Sequence, residues 1–97
     1  MDIEYKIYIG LNDKDTHKQE VRTDYAIGLI GLYFECCTVQ KVIGYYKQEQ
    51  ENSLIVNVID NEQKRPDIKR AVENLKYLLN QECILLTETE LNKMELI

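Results

Sequence analysis

The stretch Glu4–Leu11, which reads EYKIYIGL, constrains this chain more than any other. Tyr5, Ile7, Ile9 and Leu11 alternate with Lys6, Tyr8 and Gly10, so a strand with this period of two sends one row to a core and the other to the opposite face. The remaining elements must therefore cover one side of this strand and extend a sheet from its edges.

After a polar loop, Asn12 to Glu20, the residues Ala26, Leu29, Ile30, Tyr33 and Cys37 recur at three- and four-residue intervals. That spacing predicts a helix starting near Val21 to Thr23, with Thr16 or Thr23 as its cap. Ile27, Leu32 and Phe34 lie off the stripe and make the helix apolar on more than one face. Gly28 and Gly31 in its interior predict close backbone packing, because glycine otherwise costs a helix about 1 kcal/mol relative to alanine. Thr38 to Gln48 alternates again, and Leu54 to Asp60 is rich in β-branched residues. A polar turn over Glu49–Ser53 would join these two strands as an antiparallel hairpin.

Beyond the loop that ends at Pro66, Ile68, Val72, Leu75 and Leu79, with Ala71 and Leu78 beside them, form the clearest helical stripe in the chain. Cys83 to Thr87 reads as a last strand. The tail, residues 88–97, reads as a packing or oligomerisation segment with a helical turn carrying Leu91, Met94 and Ile97. The order βαββαβ predicts a single α+β domain over residues 1–97. Its simplest architecture is a ferredoxin-like two-layer sandwich with an antiparallel sheet ordered 4-1-3-2 and both helices on one face.

Charge and cysteine usage narrow the function. Seventeen acidic against twelve basic residues give a net charge of −5. Phosphate neutralisation supplies most of the affinity of a sequence-independent nucleic-acid binder, and no basic stripe is present to provide it. The one basic cluster, Lys64, Arg65, Lys69 and Arg70, reads as the solvated start of a helix. Direct nucleic-acid binding is not expected. Cys36, Cys37 and Cys83 are odd in number and lack CxxC spacing, which predicts free, buried thiols in a reducing cytoplasm. The longest apolar run, Ala26 to Phe34, is too short for a membrane span.

No motif marks a catalytic residue, metal or cofactor. Asp13-x-Asp15-x-His17 groups two carboxylates with the only imidazole, but it lacks the glycine and distal glutamate of a calcium loop and reads as a charged turn. The cysteines have no base tied to them by sequence. Seven tyrosines accompany one phenylalanine and no tryptophan, and Tyr8, with Tyr45 or Tyr46, falls on the sheet face opposite the helices. Tyr8, Ile27, Leu32, Phe34, Tyr45 and Tyr46 are therefore the expected interface residues. The acidic residues Glu49, Glu51, Asp60, Glu62, Glu88 and Glu90 are expected on the surface, where one negative patch would imitate phosphate.

The segment Tyr8-Ile9-Gly10-Leu11-Asn12-Asp13-Lys14-Asp15-Thr16 resembles the first strand and GLNDKDT loop of a group of short proteins from phages and mobile elements of low-GC Gram-positive bacteria. The resemblance implies a phage accessory setting and, for small acidic proteins, a role against host defence in the host cytoplasm. It brings no reaction, ligand or catalytic residue with it. The expected function is a non-enzymatic binding protein that inhibits a host defence protein, such as a CRISPR effector, through protein contacts. One alternative is an oligomeric sponge for a nucleotide signal; another is a small enzyme using the Asp13–His17 loop.

Self-association is the measurable consequence. A twofold contact would bury the exposed tyrosines and the off-stripe residues of the first helix on each subunit, about 800 Å² per partner in a stable case. Light scattering at micromolar concentration should give a multiple of 11.5 kDa. A mass that stays at the monomer value across a tenfold dilution would remove the expectation.

Overall fold

The computed structural model describes residues 1–97. In chain order it contains β1 (Asp2–Gly10), α1 (Thr23–Tyr33), β2 (Thr38–Tyr46), β3 (Glu49–Asn61), a short 3-10 turn (Glu62–Lys64), α2 (Arg65–Leu78) and β4 (Leu85–Glu90). The strands form one sheet in the order β2-β3-β1-β4, which is 4-1-3-2 from the other edge, and all neighbours are antiparallel. The protein is a small α+β domain in which two helices pack on a four-stranded sheet. No helix is long and apolar enough to cross a membrane.

The alternation in the first strand is realised as read. Ile3, Tyr5, Ile7, Ile9 and Leu11 are buried, and β1 pairs with β3 so that Ile7 lies opposite Val56 and Ile9 opposite Leu54. Ala26 and Ile30 of α1 and Ile68, Ala71, Val72 and Leu75 of α2 close over that row, with Leu79 just beyond. Each fully buried Ile or Leu contributes about 1.5–3 kcal/mol, so this row dominates the stability of the domain. Tyr5 is wholly buried, yet its hydroxyl donates to the Asn61 carbonyl at 3.0 Å. Burial, the largest influence on that phenol, pushes its pKa up and keeps it a donor.

Several expectations are corrected. The hairpin turn is Lys47–Gln48, with φ of 50° and 68°, and Glu49–Ser53 belongs to β3. Left-handed turn positions favour Asn and Gly, and Lys-Gln carries neither signal. Phe34 leaves the helix and enters the core, so it is not an interface residue; Ile27 packs partly against the same core. Gly28 and Gly31 face solvent with nothing within 4 Å of an added Cβ, so they mark no close packing. Neither threonine caps α1, which starts after Arg22 without a side-chain cap. Leu78 is half exposed. Cys36 and Cys83 are exposed and Cys37 partly buried, because the chain has left its helix before the first pair and has not entered β4 at the third.

The tail is also corrected. Residues 91–97 form no helical turn, and Met94, Leu96 and Ile97 are exposed, so they cover no apolar patch. The acidic residues are split along a molecule 42 Å long. Glu49 and Glu51 lie at the hairpin end, whereas Asp60, Glu62, Glu88 and Glu90 lie at the far end, where Glu88 accepts from Arg65 Nε at 2.6 Å. A single negative patch does not form.

Leu75→Ala is expected to destabilise the domain by about 2–5 kcal/mol, since the cavity forms under both layers. Tyr77→Ala, two residues on and on the opposite side of the helix at 85% exposure, should stay within about 0.5 kcal/mol. Urea unfolding of both variants checks the phase of α2; comparable losses would show that the helix is set differently.

Candidate functional site

The sheet face away from the helices carries the second row of each strand. Register places Tyr8 and Gly10 of β1 beside Ile55 and Ser53 of β3, and Leu85 of β4 opposite Tyr8. On the other side, Val42, Gly44 and Tyr46 of β2 lie opposite Ser53, Glu51 and Glu49. These residues pave a cleft of about 580 Å³ at the end of the sheet where three segments converge: the loop after β1, the β2–β3 hairpin and the α2–β4 connection. The volume is in the range of small-molecule sites.

The loop after β1 is held rigidly. The Asn12 N–H donates to Glu51 Oε2 at 2.9 Å, and the Asn12 carbonyl accepts from Gln81 Nε2 at 2.9 Å. Gln81 is buried and also donates to the Leu79 carbonyl at 3.2 Å. Asp13 Oδ1 accepts the backbone N–H groups of Asp15 and Thr16, at 2.8 and 3.1 Å. Asn80 Nδ2 donates to both Asp13 Oδ2 and Asp15 Oδ2 at 2.9 Å. The Asn80 bond, followed by the two backbone bonds, holds the Asp13 carboxyl below the usual carboxylate range. Asp13 and Asp15 therefore act as loop fasteners.

Across the cleft, the Tyr46 hydroxyl donates to Glu82 Oε2 at 3.0 Å, and Lys47 Nζ lies 3.5 Å from Glu82 Oε1. The Lys47 ammonium also sits 5.3 Å from the centre of the Tyr46 ring. His17 Nδ1 stands 3.7 Å from Glu49 Oε2 at the rim, on exposed side chains. Four carboxylates (Asp13, Glu49, Glu51 and Glu82) line the cleft against two ammonium groups, Lys14 and Lys47. With the tyrosines Tyr8 and Tyr46 on the same face, the lining favours a ligand that is flat, partly apolar and cationic.

The structure thus brings together Tyr8, Tyr45, Tyr46, Glu49 and Glu51 with Asp13 and His17 from the loop. It leaves Ile27, Leu32, Phe34, Asp60, Glu62, Glu88 and Glu90 outside the cleft. Tyr46, not Tyr45, shares the row of Tyr8; Tyr45 belongs to the helix-side row and its hydroxyl donates to Gln50 Oε1 at 3.2 Å. Sequence reasoning missed Gly10, Asn12, Gly44 and Gln81. The alternation of β1 already put Gly10 two residues from Tyr8 on one face, but nothing local announced the others.

No family model and no curated protein matches the chain. Solved structures do. A phage SAM lyase in its apo state aligns with a TM-score of 0.76 and 16% identity, covering 90% of this chain and 78% of that one. A phage SAM lyase in complex with S-methyl-5'-thioadenosine aligns with a TM-score of 0.64 and 16% identity, over 92% and 81%. A DUF3240 family protein from Shewanella baltica OS155 shares the fold at a TM-score of 0.64 and 5% identity, over 98% and 96%. These similarities establish the fold. The expectation of a non-enzymatic binding protein directed at a host defence component is corrected: the solved structures that share this fold at TM-scores of 0.76 and 0.64 and 16% identity are of a phage SAM lyase, an enzyme.

The Tyr46–Glu82 bond yields a pH-dependent test. The Glu82 hydrogen bond, ahead of burial and Cys83, pushes the Tyr46 hydroxyl up to about 12. Reciprocally, Tyr46 and then Lys47 hold Glu82 below its ordinary 4.5. The contribution of Glu82 is present above pH 4.5 and is lost as pH falls through its lowered value; that of Tyr46 is lost as pH rises from 10 through about 12. Tyr46→Phe should move the carboxyl titration of Glu82, followed by carbon NMR, up toward 4.5. An unmoved titration would mean that Lys47 alone holds the carboxylate.

Proposed function

We propose that this chain is a SAM lyase-like enzyme that cleaves S-adenosylmethionine in the cleft on the open sheet face. One observation supports the reading most: carboxylates and tyrosines converge over an apolar floor of Val42, Ile55 and Leu85, in a fold shared with a phage SAM lyase. S-adenosylmethionine offers a sulfonium cation, an aromatic base and a zwitterionic amino-acid tail. Glu51 and Tyr8 are the groups we assign to the cationic part; Lys14 and Lys47, at the rim, suit the substrate carboxylate.

The chemistry follows if S-methyl-5'-thioadenosine, the molecule bound in the related complex, is the product of the cleavage. That product keeps the sulfur, its methyl group and the adenosine. The bond that breaks is therefore the one from sulfur to Cγ of the four-carbon amino-acid chain. The substrate's own carboxylate attacks Cγ, a C–O bond forms as the C–S bond breaks, and the electron pair leaves on sulfur. The partner product is homoserine lactone, and no proton, water or oxidant is consumed. Both charges are neutralised as the transition state forms, so a cleft that excludes water and holds the two reacting ends together accelerates the step. The βαββαβ element order and the two helices on one face support reading the architecture as ferredoxin-like. The phage-type GLNDKDT segment fits an enzyme that removes the methyl donor of host modification enzymes.

Incubation with S-adenosylmethionine followed by mass spectrometry should show S-methyl-5'-thioadenosine and homoserine lactone in equal amounts. Glu51→Gln should lower kcat/KM by about 10–100-fold, the scale of one charge-assisted contact. The neutral S-adenosylhomocysteine should bind more weakly than the sulfonium substrate. Absence of both products with a folded protein, or a preference for the neutral analogue, would defeat the reading.

A further inference from the structure

We infer that Gly10 is a positioning residue: its missing side chain leaves the slot in which the Glu51 carboxylate docks, with the Asn12 N–H as the docking donor. Gly10 lies opposite Ser53 in the β1–β3 ladder, and Glu51 stands two residues along β3 on the same face. A Cβ at residue 10 would lie 2.5 Å from Glu51 Cδ and 2.6 Å from Oε2, closer than real contacts allow. No glycine in the chain has a positive φ, so strand conformation does not require glycine here. The requirement is space.

The donor is fixed before any ligand arrives. Asn12 N–H reaches Glu51 Oε2 at 2.9 Å, while Gln81 holds the carbonyl of the same residue and Leu11 N–H bonds the Asn52 carbonyl at 3.0 Å. A glutamate on an exposed sheet face otherwise samples several staggered rotamers. Here one oxygen is taken by a backbone amide and the side chain lies across the glycine, so the carboxylate presents a single orientation to the cleft. Gly10→Ala meets only the far end of this flexible side chain, so the fold tolerates the change while the carboxylate is displaced.

The catalytic consequence rests on the SAM-cleaving reading, but the docking itself does not. In amide NMR spectra, Glu51→Gln should move the Asn12 amide proton upfield, because a charge-assisted bond is replaced by a weaker one. Gly10→Ala should move it the same way. Gly10→Ala should also lower kcat on S-adenosylmethionine by about tenfold or more, with less change in KM, and should add no further loss in the Glu51→Gln background. An Asn12 resonance at its wild-type position in Gly10→Ala would overturn the inference. So would losses that multiply in the double variant, or a Gly10→Ala chain that does not fold, since glycine would then serve the strand itself. If the wild-type protein does not cleave S-adenosylmethionine, the proposed function fails while the NMR comparison still decides the docking.

Discussion

The pairing of β1 with β3 is the constraint on which the other features depend. Its buried row sets Ile3, Tyr5, Ile7 and Ile9 with Leu54, Val56 and Val58 under two helices. Because side chains alternate across a sheet, a slip of one residue would turn this entire row to solvent. The same register fixes the opposite row without separate instruction. Tyr8, Gly10, Ser53 and Ile55 meet on the open face because Ile7, Ile9, Leu54 and Val56 must meet in the core. The cleft is thus a by-product of core packing, and its floor is as well defined as the core beneath it.

The cleft walls are defined by polar contacts that the core does not dictate. Asn12 is gripped at its N–H by a strand glutamate and at its carbonyl by Gln81, just past α2. Asn80, in a left-handed conformation with φ of 48°, spans Asp13 and Asp15. Two adjacent residues at the end of α2 therefore anchor the loop after β1. Lys47 and Tyr46 tie the hairpin tip to Glu82, two residues after Asn80. Three segments distant in sequence become one frame through the short connection between α2 and β4.

That arrangement explains what could be read in advance. Alternation and helical spacing are local, so both helices, the first strand and the placing of Tyr8 on the open face were legible from Glu4–Leu11 and the stripe ending at Leu79. The antiparallel hairpin was legible too, but its turn was not, since Lys47–Gln48 enters left-handed turn positions without asparagine or glycine, and the polar residues Glu49–Ser53 resemble a loop while lying in a strand. Phe34 looked like a surplus helix residue but sits one position past the helix end, where the chain turns inward. Glu51 was visible only as an acidic surface residue. Its docked position depends on a glycine from β1 and a backbone amide at residue 12, neither of which any spacing rule links to position 51.

The functional misreading has a separate cause. Catalytic motifs are recognised by acid–base pairs, activated nucleophiles and metal ligands, and their absence here argued against an enzyme. That inference holds only for reactions that need such groups. In the proposed cleavage the nucleophile and the leaving group both belong to the substrate, and their charges cancel as the bond changes hands. What the protein must supply is a folded substrate, a fixed partner for the cation and a surface poor in water. Toward these the structure offers an apolar floor of Val42, Ile55 and Leu85, a carboxylate held across a glycine and tyrosines beside it. None of these features forms a sequence motif, so a chain of this size can be catalytic while its catalytic machinery is invisible to pattern.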